Sequence, residues 1–190
     1  MKTKISNIAT IRLGYHFRGK IIADSNGAIS VIQMKDINED LTIGWDSLMK
    51  VAQEKYNEAA YVHEGEILFA NRGNANYAAV VDQDRRNAIA VSNFFIIKLK
   101  TDRVTPEYLT WYINQRLAQK YFDQHRAGSY IPTMRGEWLN ELQVSVPPLD
   151  IQKKVVELDR LQKKEADLCM KIQKKKTEII EIVLNRKIKE

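Results

Sequence analysis

A single cysteine, Cys169, excludes an internal disulfide framework. The three histidines, His16, His63 and His125, lie too far apart along the chain to suggest a metal-ligand motif. No stretch approaches the roughly 18 uninterrupted apolar residues of a membrane span, and no signal-type apolar run follows Met1-Lys2-Thr3-Lys4, so a cytoplasmic location away from membranes is expected. Glycine is scarce, and no two of the eight are spaced G-x-G, the turn that carries a dinucleotide or methyl-donor cofactor. No glycine precedes Lys-Ser or Lys-Thr, and Gly19-Lys20 runs into Ile21-Ile22, so a phosphate-binding loop is absent.

Other catalytic patterns are equally thin. Base-flipping methyltransferases need a polar residue before Pro-Pro and an aromatic after it. Val146-Pro147-Pro148-Leu149 has the prolines but neither partner. Glu64 and Glu66, with Lys55 upstream, are the nearest approach to a nuclease cluster, and they read better as acidic turn residues ahead of a strand. Cys169 sits beside apolar helix residues without a basic group to activate it. The chain is expected to be non-catalytic, with no metal and no cofactor of its own.

The net charge of +6 suggests a polyanionic partner, but its distribution matters more. Residues 1–150 hold 18 Lys+Arg against 17 Asp+Glu, whereas residues 151–190 hold 12 against 7. The basic excess therefore lies in the tail, where a solvated helix accounts for it as well as a DNA surface does.

Short Val/Ile/Phe runs broken by Gly, Asn and Asp predict strands at Ile29–Met34, Glu66–Ala70, Ala78–Val81 and Phe94–Leu99. Trp45–Ala59 reads as a helix. Thr105-Pro106 is a cap and first-turn pair, followed by apolar residues at Leu109, Tyr112, Ile113, Leu117 and Phe122 that predict one helix ending before Ala127-Gly128-Ser129. A strand at Gln143–Val146 should stop at Pro147-Pro148.

From Asp150 onward there is no glycine or proline, and a single long helix is predicted. Its seam reads Leu158, Leu161, Glu165, Leu168, Ile172, Lys175, Ile179 and Ile182, apolar at six of eight positions. The run from Val155 to Ile188 would span on the order of 50 Å, more than one small globule can cover. A second copy of the chain is the simplest partner, and in an antiparallel pair Glu165 would face Lys175.

Four segments carry a family resemblance: Ile8 to Gly14, Val62-His63-Glu64-Gly65-Glu66-Ile67-Leu68, Pro106-Glu107-Tyr108-Leu109, and the junction Pro147-Pro148-Leu149-Asp150-Ile151-Gln152. Together they resemble the specificity subunits of type I restriction-modification systems. The resemblance implies an α+β chain with a strand-rich globular target-recognition domain over 1–149 and a long coiled-coil-type spacer and dimerisation helix over 150–190. It implies one recognition domain and one spacer helix where family members usually carry two of each. Its expected partners are double-stranded DNA, a second copy, DNA methyltransferase subunits that bring S-adenosylmethionine, and a motor-nuclease subunit. A stand-alone DNA-binding regulator is the alternative.

In that family, loops and strand ends approach the major groove, so polar and basic loop residues are the candidates. Asn71, Arg72, Asn74, Asn76 and Tyr77 form the first group, since Asn suits adenine and Arg suits guanine. Arg126, Ser129 and Tyr130 form the second, approached by Lys120 and His125. Arg18, Lys20 and Lys35 are the third group and suit phosphates.

Overall fold

The computed structural model describes residues 2–52, 56–73, 76–83, 87–125 and 132–188. In chain order the elements are β1 (Lys2–Lys4), α1 (Ile5–Ile8), β2 (Ala9–Leu13), β3 (Ile29–Ile32), β4 (Met49–Val51), β5 (Ile67–Ala70), β6 (Ala78–Val80), β7 (Ala88–Ala90), β8 (Phe94–Leu99), α2 (Pro106–Asn114), α3 (Arg116–His125), α4 (Gly136–Glu141), β9 (Gln143–Ser145) and α5 (Leu149–Ile188). The chain divides into two compact units, Met1–Gln152 and Lys153–Glu190.

The first unit is α+β and is built from short strands in three sheets, ordered β2-β8-β5-β6, β4-β3-β7 and β1-β9. All pairings are antiparallel except β3 with β7. β5 reads Ile-Leu-Phe-Ala without alternation, and all four residues are buried, as expected for a strand covered on both faces. One cluster spans the two larger sheets, with Ile29, Val31, Leu68, Ile89, Phe94 and Ile96 among its members.

Two expectations are corrected. The helix predicted over Trp45–Ala59 is instead a 3-10 turn at Trp45–Ser47, then β4, then a second 3-10 turn at Glu58–Ala60. Tertiary partners override the local pattern here. β4 finds the open edge of β3, pairing Val51 with Ile29 and Met49 with Val31, and the Trp45 indole donates to Asp82 Oδ1 at 2.7 Å. The single helix predicted after Thr105 breaks at Gln115, which is extended. The new helix α3 buries Ala118 and Phe122, with Phe122 edge-on to Phe69 at 5.0 Å, and leaves Leu117 exposed. The predicted start of the helix holds: Thr105 Oγ1 accepts from the Tyr108 N–H at 3.2 Å, and Pro106 occupies the first turn.

Glu66 was read as surface, yet it is buried. Arg12 donates to both its carboxylate oxygens at 2.7 and 2.8 Å and also reaches the carbonyls of Tyr61 and Ala59. The His63 N–H supplies a third donor to Glu66 at 3.0 Å. This carboxylate is committed to holding the turn before β5 and is not free for catalysis.

Gln152 closes the first unit and is fully buried. Its Nε2 donates to the carbonyls of Arg103 and Pro147, both at 2.8 Å, and its Oε1 accepts from the Thr105 N–H at 3.0 Å. One amide thereby ties the strand exit at the prolines to the start of α2. That gives the Pro-Pro-Leu-x-x-Gln spacing a physical reason.

The second unit is the rest of α5, a helix of 40 residues and about 60 Å in all. Its seam residues Leu158, Leu161, Leu168, Ile172, Ile179 and Ile182 are 49–68% exposed. Charges bridge along its flanks, Arg160 to Glu157, Lys163 to Asp159 and Lys171 to Asp167, and the seam residue Lys175 bonds to Glu178 within the single chain. Cys169 is exposed. No helix among the described residues is long and apolar enough to cross a membrane.

Glu66→Ala removes the partner of an Arg12 guanidinium that is 28% exposed and leaves the His63 N–H without its acceptor, so it should cost about 2 kcal/mol in chemical denaturation, less than a fully buried pair would. A loss below about 1 kcal/mol would show that the pair is not structural.

Candidate nucleic-acid interface

The site is assembled where β2 leaves its sheet. Gly14 lies so close to the next chain segment that a Cβ there would stand 2.2 Å from the Val91 carbonyl oxygen. This close approach lets the Tyr15 N–H reach the Ala90 carbonyl at 2.7 Å and the Ser92 N–H reach the Tyr15 carbonyl at 2.9 Å. The chain then runs on through Arg18 and Lys20, between two adjoining clefts that share Tyr15, Phe17 and Ile21.

The first cleft, about 460 Å³, is walled by Gln33, Lys35, Arg72, Ser92 and Asn93 opposite His16 and Gly19. The second, about 620 Å³, is lined by Arg18, Lys20 and Tyr56 among others. Lys35 is presented by a 3-10 turn, Met34–Asp36, with a reciprocal cap: buried Asp36 accepts from the Gln33 N–H at 2.8 Å, and the Gln33 side chain accepts from the turn in return. Arg72 lies two residues beyond the end of β5, and Gly73 turns the chain with φ 103°, a value that favours glycine. Residues 71–73 then run beside 132–134, with Met134 N–H donating to the Asn71 carbonyl at 2.8 Å and Gly73 N–H to the Pro132 carbonyl at 3.1 Å.

Four of the sequence-predicted cations, Arg18, Lys20, Lys35 and Arg72, therefore come from three distant segments to the rims of adjoining clefts. All four are exposed, and among the described residues none makes an ion pair. Unpaired guanidinium and ammonium groups around a polar cleft suit phosphate oxygens and base edges.

The two asparagines of the same stretch do not fit that role. Asn71 and Asn76 are buried, and their amides are spent on backbone carbonyls, Asn71 Nδ2 on Ser92 at 3.1 Å and Asn76 Nδ2 on Ala70 at 2.8 Å. The expectation of base contacts from them is corrected: strand-end carbonyls inside the fold claim these donors before DNA can. Tyr77 is half-buried; its hydroxyl donates to the Met34 carbonyl at 3.3 Å, and burial pushes its pKa up. It braces the Lys35 turn.

Asn74, Arg126, Ser129 and Tyr130 lie outside the described residues. Lys120 is exposed on α3. His125 is stacked between Tyr121 and Trp138, 4.3 Å from each ring, with Nδ1 hydrogen-bonded to the Tyr121 carbonyl at 2.7 Å. Sequence reasoning missed Ser92 and Asn93. Their signal was a polar pair between the apolar runs Ala88–Val91 and Phe94–Leu99, a turn whose place beside the cleft no local pattern reveals. Among the described residues, no group of three or more His, Cys, Asp or Glu side chains comes together to hold a metal.

Comparison with known proteins bears on the family and the fold. Residues 1–185 match the family model described as the type I restriction modification DNA specificity domain. No curated protein matches. Among solved structures, the chain is similar to the type I restriction-modification S subunit from M. genitalium, at 13% identity and a TM-score of 0.59, covering 86% of this chain and 39% of that one. It is also similar to the HsdS subunit from Thermoanaerobacter tengcongensis, at 14% identity and a TM-score of 0.62, covering 88% and 38%. A third similar chain, from a study of complex assembly and conformational transition of the type I restriction-modification system, has 15% identity, a TM-score of 0.64 and coverages of 88% and 39%. These identities carry the fold alone, and the chain spans about two-fifths of the length of each. A strand-rich domain followed by a long helix, with unpaired cations around a polar cleft and a match over nearly its whole length, belongs to the type I restriction-modification DNA specificity family, whose members recognise DNA and leave catalysis to other subunits.

Proposed function

We propose that this chain reads one half-site of a bipartite duplex target, with Arg72 at base edges and Arg18, Lys20 and Lys35 on phosphates. The observation that carries the reading is the convergence of these four unpaired cations, from segments far apart in sequence, around clefts also lined by Gln33, Ser92 and Asn93. Two copies join through the exposed stripe of α5, which supplies a fixed spacing between half-sites. DNA methyltransferase subunits dock on the pair and bring S-adenosylmethionine, and a motor-nuclease subunit is a further partner. The target is then two inverted copies of one short sequence about a nonspecific spacer.

The helix pairing has a preferred register. With the copies antiparallel and residue pairs centred on Met170, Leu158 meets Ile182, Leu161 meets Ile179, Leu168 meets Ile172, and Glu165 meets Lys175. Sliding by one heptad would set each charge against an apolar residue, so the two polar seam positions select this alignment.

Duplex binding titrated against salt tests the DNA reading. Lys20→Ala and Lys35→Ala should each weaken binding on all sequences alike and lower the salt slope by about one, while Arg72→Ala should relax base preference by about tenfold. Unchanged binding in all three would place the interface elsewhere. Sequencing the methylome of cells that carry this chain with a methyltransferase partner should show a symmetric split target, whereas sequence-specific binding without methylation would favour a stand-alone regulator.

Dimer dissociation tests the helix pairing. Glu165→Lys and Lys175→Glu should each weaken the dimer by about tenfold or more, because each sets like charges together twice, and the double exchange should restore it. Strictly additive losses would rule out the antiparallel register.

A further inference from the structure

Resting on the DNA reading above, we infer that Asn71 is a positioning residue for recognition: it fastens the segment bearing Arg72 to the 92–93 wall of the cleft and to the neighbouring segment 132–134, and so sets where the guanidinium meets a base edge.

Asn71 makes three connections to two other segments. Its backbone N–H donates to the Asn93 carbonyl at 2.9 Å, its side-chain Nδ2 donates to the Ser92 carbonyl at 3.1 Å, and its own carbonyl accepts from the Met134 N–H at 2.8 Å. The Ser92 it grips is itself held by the Tyr15 carbonyl, at the start of the segment that carries Arg18 and Lys20. On the other side, Arg72 and Thr133 form an antiparallel bridge, reinforced by Gly73 on Pro132. Asn71 thereby joins the segments 92–93 and 132–134, and the 92–93 turn in its own right holds Tyr15.

The side chain is a poor choice for stability alone. Asn71 is 3% exposed and its Oδ1 has no hydrogen-bond partner among the described residues, so it buries an acceptor at a loss. What the amide supplies is a fixed spacing between the Arg72 segment and the 92–93 turn. Bidentate recognition of a base tolerates little displacement, whereas a phosphate contact tolerates much more. Losing the amide should therefore cost discrimination before it costs attraction.

The experiment compares the full chain with Asn71→Ala, with Asn71→Ser as a second variant in case the first does not fold, and with Gln152→Ala. Gln152 is also a buried amide with bonds to the backbone, but it lines neither cleft. The probes are a duplex recovered by the unaltered chain from a randomised library and a random-sequence duplex of the same length. The Asn71 variants should lose about tenfold of the preference for the recovered duplex, with random-duplex affinity and its salt slope unchanged. Gln152→Ala should lower the melting temperature and leave the preference intact. Preference kept within about twofold in a folded Asn71 variant, or lost equally in Gln152→Ala, overturns the inference. An unaltered chain that recovers no preferred duplex overturns the DNA reading itself, and this inference with it.

Discussion

Buried backbone groups must find partners, and short strands make that difficult. The first unit is built from strands of three to six residues. Each strand end leaves carbonyls and N–H groups inside the fold that no neighbouring strand can reach. Side-chain amides fill such gaps at strand ends, helix ends and turns: Asn71 on Ser92, Asn76 on Ala70, Asn114 on both backbone groups of Ala78, Gln119 on Ile113, and Gln152 on Arg103, Thr105 and Pro147. An amide suits the task because it carries donors and an acceptor on one planar group.

This division of labour shapes the cleft. Buried amides set the distances between its walls, and exposed cations occupy the rims. Asn71 and Arg72 are adjacent in sequence yet belong to opposite sides of that division, one turned inward and one outward at a strand end. Because these cations make no ion pair among the described residues, their charge is available to a polyanion. The small net charge of the globular part is then no obstacle to DNA binding, since the arrangement of charge matters more than its sum.

The helix follows a different rule. Its stability comes from regular backbone pairing and from ion pairs one turn apart along its flanks. What it lacks is a cover for its apolar stripe. Glu165 and Lys175 interrupt that stripe symmetrically about Met170, the feature on which the proposed antiparallel register rests.

Much of this was legible in the sequence. Strands at Ala78–Val80 and Phe94–Leu99, the Thr105-Pro106 cap and the long helix followed from composition, alternation and spacing alone, because each depends on neighbours within a few residues. The Trp45–Ala59 segment was misread, since its extended form is decided by the distant edge of β3. The candidate site divides in the same way. That Asn71-Arg72-Gly73 belonged to a loop at a strand end was readable, and so was the basic character of Arg18, Lys20 and Lys35. Only the tertiary structure decided that Asn71 and Asn76 turn inward, that Ser92 and Asn93 join the wall, and that the four cations share one region. Local sequence determines which residues can form an element and which can carry charge; the side on which a buried amide spends its donors depends on carbonyls that arrive from elsewhere in the chain.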